Sequence, residues 1–112
     1  MSVIDRATFD ELREISGEDF INELIDTFLE DAPKLMEEMS VALDMNNADT
    51  FRRAAHSMKS NAATFGAGQL SAVARELEML GKENKIHETG DRLRALEEAF
   101  VPVRDELRNL KS

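Results

Sequence analysis

The chain has 112 residues, no cysteine, and 23 acidic against 14 basic side chains, for a formal net charge of −9. That length suits one domain, residues 1–112, able to bury roughly 60–70% of its unfolded surface without staples. Lack of cysteine excludes disulfides, Cys-ligated zinc and thiol catalysis, while the acidity argues against nucleic-acid or anionic membrane partners, because like charges repel. No apolar segment of signal-peptide length follows Met1, and no stretch approaches the roughly 18 apolar residues of a membrane span, so a cytoplasmic domain is expected.

The apolar residues recur at helical spacing through nearly the whole chain. Thr8-Phe-Asp-Glu11 has the form of a capping box and predicts a short first helix through about Glu14. Ser16-Gly-Glu-Asp19 places carboxylates at the start of a second helix. Its inward residues are read as Phe20, Leu24, Phe28, Met36, Met39 and Leu43. Pro33 lies inside that pattern. It is expected to kink the helix rather than end it, since the periodicity resumes at Leu35; two separate helices are the alternative.

Asn46-Asn-Ala-Asp49 is a turn and capping region. A third helix follows from about Thr50 to Phe65, and Gly66-Ala-Gly68 breaks it. A fourth is predicted over about Gln69 to Leu80, with Leu70, Val73, Leu77 and Leu80 on one stripe. The polar stretch Gly81 to Gly90 reads as a loop. A last helix runs from about Asp91 towards Lys111, with Leu93, Leu96, Phe100, Val103, Leu107 and Leu110 inward and a bend at Pro102. Strand-like alternation, repeats and low-complexity runs are absent from the sequence. Four amphipathic helices with short connections predict an all-α, antiparallel up-and-down four-helix bundle, with the short extra N-terminal helix covering one end. One bundle satisfies these stripes, which predicts a monomer.

Residues 50–75 contain no Asp or Glu, although 23 acids in 112 residues would put about five in such a window. The same window holds Arg52, Arg53, His56, Lys59 and Arg75. An acidic chain with one zone free of negative charge points to an anion site or an acidic partner surface. On a helical wheel with Phe51 at zero, Ala55, Met58, Ala62 and Phe65 fall within roughly 40° and form the core stripe. His56 falls near roughly 140°, pointing away from the core, with Lys59 near about 80°, Ala63 near about 120° and Ser60 near about 180°. A histidine can act as a nucleophile and hold a covalent intermediate. Its unperturbed pKa of about 6.5 leaves much of it neutral, with a free nitrogen lone pair. Phosphoryl transfer needs in-line positioning and cations for the spread negative charge. Lys59, three residues on, can place an ammonium beside phosphoryl oxygens, while short Ser60 and Ala63 leave a bulky partner room to approach. His87, between charges in the predicted loop, reads as an ordinary surface histidine.

The segment Ala54-Ala-His56-Ser-Met-Lys59-Ser60-Asn-Ala62-Ala-Thr-Phe-Gly66-Ala67 resembles the phosphoacceptor helix of histidine-containing phosphotransfer (HPt) domains. That family's pattern is roughly Ala-His-x-Leu-Lys-Gly-Ser-Ala-x-x-Leu-Gly-Ala. The similarity in helix order, including Phe28-Leu-Glu-Asp-Ala-Pro33, extends over nearly the whole chain. The resemblance implies a phosphorelay intermediate: His56 receives a phosphoryl group from a receiver-domain aspartate and passes it to another. Lys59 matches the family's cation. Ser60 stands where the family usually has glycine; it is still small, and its hydroxyl is able to hydrogen-bond the ring or the phosphoryl oxygens. Met58 replaces the usual leucine, a mild core change. The resemblance further implies no autokinase activity and no cofactor of its own, magnesium being supplied by the partner receiver. Response-regulator receiver domains, and a hybrid histidine kinase, are the partners implied, with Arg52, Arg53, Ala63, Gly66 and Ala67 as the candidate docking residues.

Two other classes compete with this reading. A docking module for a receiver or kinase that never takes up phosphate would use the same exposed face, and His56→Gln would then leave its affinity and output unchanged. A hydrolytic or metal enzyme fits worst: His56 and His87 are the only histidines, no His-x-x-x-His or Glu-x-x-His pair exists, and no Gly-rich phosphate loop is present.

Overall fold

The computed structural model describes residues 3–111. Five α-helices follow in order: α1 Arg6–Ser16, α2 Glu18–Asp44, α3 Ala48–Thr64, α4 Gly68–Lys82 and α5 Arg92–Leu110, with a 3-10 turn at Ile86–Glu88 before α5. The fold is all-α, as the periodicity predicts. The four long helices form the bundle and α1 closes one end. Among the described residues, no helix is long and apolar enough to cross a membrane.

The start of α1 corrects the sequence reading. Asp5, not Thr8, is the cap: its carboxylate accepts from the Ala7 N–H at 3.2 Å and from the Thr8 hydroxyl at 2.9 Å. Thr8 lies inside the helix because an extended Asp5 supplies the stronger acceptor one turn earlier. Gly17 then ends α1 and opens α2. At φ 85°, a conformation glycine adopts at little cost, its N–H bonds to Arg13 O at 2.8 Å while its carbonyl accepts from the Ile21 N–H at 3.0 Å.

Helix α2 runs unbroken through Pro33, which excludes the two-helix alternative. Its buried residues are Ile21, Ile25, Phe28, Ala32, Met36, Met39 and Ala42. Phe20, expected inward, is 51% exposed. The stripe is centred one position later, on Ile21 and Ile25, which turns Phe20 towards solvent and leaves Leu24 and Leu43 at the margin. Phe28 packs between Phe65 and Phe100, with ring centroids 5.3 and 5.9 Å away, and ties α2 to the end of α3 and to α5.

The segment predicted as a loop from Gly81 to Gly90 is more ordered than its polarity suggests. Helix α4 continues to Lys82, and Ile86, the one large apolar residue of the stretch, is 1% exposed in the 3-10 turn. Thr89 is also buried, and its hydroxyl donates to Ile86 O at 2.6 Å. At the opposite end, the Asp5 N–H bonds to Gly66 O at 2.9 Å. Gly66 has φ 78°, and a Cβ there would meet Asp5 O and Thr8 Cβ at 3.0 Å. This glycine is therefore the seat of α1. Ala67 beside it is fully buried. Ala67 thus offers no side-chain surface to a partner, whereas Gly66 is half-buried and borders a hollow together with Ala63.

Candidate functional site

Helix α3 is capped by Asn47, whose side chain accepts from the Thr50 N–H at 3.1 Å. It buries Phe51, Ala54, Ala55, Met58 and Ala62. The inward positions are mostly alanine, so neighbouring helices come close. His56 lies on the other face with 55% of its side chain exposed. Its ring and Ser60 border a hollow of about 440 Å³ between α2 and α3, together with Asp31, Lys34 and Leu35. Ala63 is exposed and borders a larger hollow, about 910 Å³, along α4 with Ser71, Ala72, Arg75 and Met79.

The site also holds a residue that the sequence reading missed. Glu78 of α4 reaches across to α3. Its Oε2 lies 2.6 Å from His56 Nδ1 and its Oε1 accepts from Lys59 Nζ at 2.6 Å. The Glu78 side chain is only 8% exposed, whereas Lys59 retains 30% exposure. A third link holds the pair of helices together: Ser71 Oγ donates to Lys59 O at 3.1 Å. The window from 50 to 75 is acid-free in sequence but not in space: Glu78 of α4 reaches His56 from outside it, and Asp31 and Glu38 of α2 line the hollow beside the ring. The Glu78 carboxylate is not a fence: it occupies one ring nitrogen and leaves the other.

Burial opposes the charge on Glu78, but the hydrogen bonds from Lys59 and His56 outweigh it and hold the carboxyl below its ordinary range. An ionised carboxylate can only accept, so His56 Nδ1 carries the proton that Glu78 receives. The neutral ring then has its lone pair on Nε2, the nitrogen turned away from Glu78. A carboxylate thus fixes tautomer and ring orientation together, as second-shell carboxylates do for other functional histidines.

Two further cations of the window, Arg52 and Arg53, are less free than the sequence suggests. Asp49, one residue before the acid-free window, takes Arg52 at 2.8 Å and Arg53 at 2.9 Å. The Arg52 hydrogen bond, helped by the Arg53 and Arg52 charges, lowers the Asp49 pKa against the opposing effect of desolvation. Arg53 stays exposed and Arg52 half-buried. His87 is 72% exposed in the 3-10 turn, 3.7 Å from Glu88, as an ordinary surface histidine would be. Among the described residues, no cluster of three His, Cys, Asp or Glu side chains is arranged to hold a metal ion.

Glu78 did leave a signal in the sequence. The buried stripe of α4 is Leu70, Ala74, Leu77 and Gly81, rotated from the predicted one towards small residues. Glu78 is four residues after Ala74 and three before Gly81, so it lies on the shoulder of that stripe. An acid in that position either stays unpaired at a cost or finds partners across the interface.

A helical bundle that displays one accessible imidazole, oriented by a buried carboxylate and flanked by a lysine, has the build of a phosphoryl carrier domain. Residues 23–111 match the Hpt domain family, and the chain belongs to that family. Its members act in histidine phosphotransfer within two-component systems, as carriers that meet receiver domains and kinases. The fold superposes on the crystal structure of histidine-containing phosphotransfer protein B (HptB) from Pseudomonas aeruginosa PAO1 with a TM-score of 0.89. That match has 24% identity and covers 96% of this chain and 93% of that one. No curated protein matches the chain in sequence.

Proposed function

We propose that this chain is a phosphorelay intermediate in which His56 accepts a phosphoryl group from a receiver-domain aspartate and passes it to the aspartate of another receiver. The observation that carries this reading is the exposed His56 ring with its Nδ1 held by Glu78. The Nε2 lone pair attacks phosphorus in line, the N–P bond forms as the aspartyl O–P bond breaks, and the carboxylate leaves. The ring, now carrying the phosphoryl group on Nε2 and a proton on Nδ1, is cationic, and the Glu78 carboxylate stabilises it. Transfer onward reverses these steps and returns a neutral imidazole. No proton has to move in either direction, which suits a group that must both take and give.

Lys59 supplies positive charge beside the phosphoryl oxygens, which compete with Glu78 for its ammonium. Ser60 keeps the approach open and offers a hydroxyl. In this reading the chain has no autokinase activity and no cofactor of its own; the receiver contributes the magnesium ion, which neutralises phosphoryl charge. The partners are receiver domains and a hybrid histidine kinase, met by a monomer in the cytoplasm through the exposed faces of α3 and α4 around Ala63 and Arg53. The test is incubation with a phosphorylated receiver domain. Label stable to alkali and labile to acid should appear on this chain and be missing in His56→Gln. Persistence of the label in that variant refutes the site.

A further inference from the structure

Gly81 is the penultimate residue of α4, buried against α3. Its backbone conformation does not call for glycine, since its φ is not positive. Space does. A Cβ on Gly81 would stand 2.7 Å from Arg52 Cβ, 2.9 Å from Arg52 Cα and 3.0 Å from Arg52 N. Two of those three atoms are backbone, so rotation of the Arg52 side chain cannot relieve the overlap. Gly68, also in α4, offers a contrast: a Cβ there meets nothing within 4 Å.

The close approach lies one turn from the site on both helices. His56 follows Arg52 by four residues on α3, and Glu78 precedes Gly81 by three on α4. Because the two helices run antiparallel, the Arg52–Gly81 level stacks directly beside the His56–Glu78 level. We propose that Gly81 is a positioning residue: its missing side chain lets α4 approach α3 closely enough for the short Glu78 arm to hold His56 and Lys59 at once. Widening the contact from 2.7 Å to the 3.4 Å of ordinary packing moves the helices apart by about 0.7 Å. Both Glu78 bonds measure 2.6 Å, and such a displacement carries them beyond the usual range for charge-assisted hydrogen bonds. The ring then loses its bias towards the Nδ1–H form. This inference rests on His56 being the phosphoacceptor only for its kinetic consequence; the tautomer is read without phosphate.

The experiment is Gly81→Ala in the full chain, with the ring nitrogens of His56 followed by long-range proton–nitrogen correlation at about pH 8, above the ordinary histidine range. Wild type and Gly68→Ala should both show the pattern of a ring protonated on Nδ1. Gly81→Ala should keep its helical content, show a mixed tautomer pattern, and accept phosphoryl roughly tenfold more slowly. A wild-type nitrogen pattern in Gly81→Ala, or a mixed pattern with an unchanged rate, overturns the proposal. Should Gly81→Ala fail to fold, Glu78→Asp shortens the arm without touching the helix contact and must give the mixed pattern; a wild-type pattern there overturns the proposal equally. A mixed pattern in Gly81→Ala together with label surviving in His56→Gln instead refutes only the phosphoacceptor assignment.

Discussion

Replacing Glu78 by glutamine keeps the side chain's size and removes its charge, and two consequences follow from the geometry. The carboxylate now serves two donors at 2.6 Å each. An amide has one oxygen for them, and the Lys59 ammonium, the charged donor, should take it. The amide NH₂ then faces His56 Nδ1 and favours a lone pair there, which moves the ring proton to Nε2, the attacking nitrogen. Loss of a preference worth about 1.5–3 kcal/mol, typical for a hydrogen bond to a charged group, should slow phosphoryl acceptance roughly 10- to 100-fold.

Stability should fall as well. Lys59 and His56 keep 30% and 55% exposure and regain water, so the net loss is about 1–2 kcal/mol, or roughly 4–8 °C in Tm at pH 7. The pH dependence has a definite sign. Glu78 has a lowered pKa in the folded chain, so its contribution is fully present above the ordinary glutamate value and is lost as pH falls through the lower folded value. The gap in Tm between wild type and Glu78→Gln should therefore be constant near neutrality and begin to close below about pH 4.5. The assays are transfer from a phosphorylated receiver and thermal melts from pH 7 to pH 3. Equal transfer rates and a gap that persists unchanged to pH 3 would refute the tautomer and linkage arguments together.

Two further outcomes are expected. Lys59→Ala should slow transfer by roughly tenfold or more, through lost charge on the phosphoryl oxygens, with helicity by circular dichroism retained because Lys59 is partly exposed; a helical signal that collapses contradicts the surface role. Ala63→Trp adds bulk at an exposed position beside the α4 hollow and should weaken receiver binding by calorimetry, and transfer with it, leaving Tm within a few degrees; unchanged binding means that receivers approach from elsewhere.

The sequence read most clearly where one helix determined the answer. The stripe of Phe51, Ala55, Met58 and Ala62 is enough to turn His56 outward, and nothing from another helix reverses that. The reading was weaker wherever a cross-helix partner decides. Glu78 lies 22 residues from His56 in the chain, and no local period says that α4 meets α3 in this register. Asp49 escaped in a smaller way, one position outside the acid-free window yet neutralising two of its arginines. Phe20 shares the helical spacing of Leu24 and Phe28, but the isoleucines one and five positions later fix the inner face of α2 and turn Phe20 outward. Ile86 was hidden because a single apolar residue in a polar stretch has no periodicity to display. Gly66 matches the family segment, but its fit under α1 depends on Asp5 and Thr8, some sixty residues earlier.

The central claim is tested most directly by locating the phosphoryl group itself. After transfer from a phosphorylated receiver, phosphorus and nitrogen NMR of the isolated chain should place a single phosphoramidate on Nε2 of His56, with Nδ1 still protonated. A phosphoryl group on Nδ1, on His87 or on any carboxylate would contradict the account.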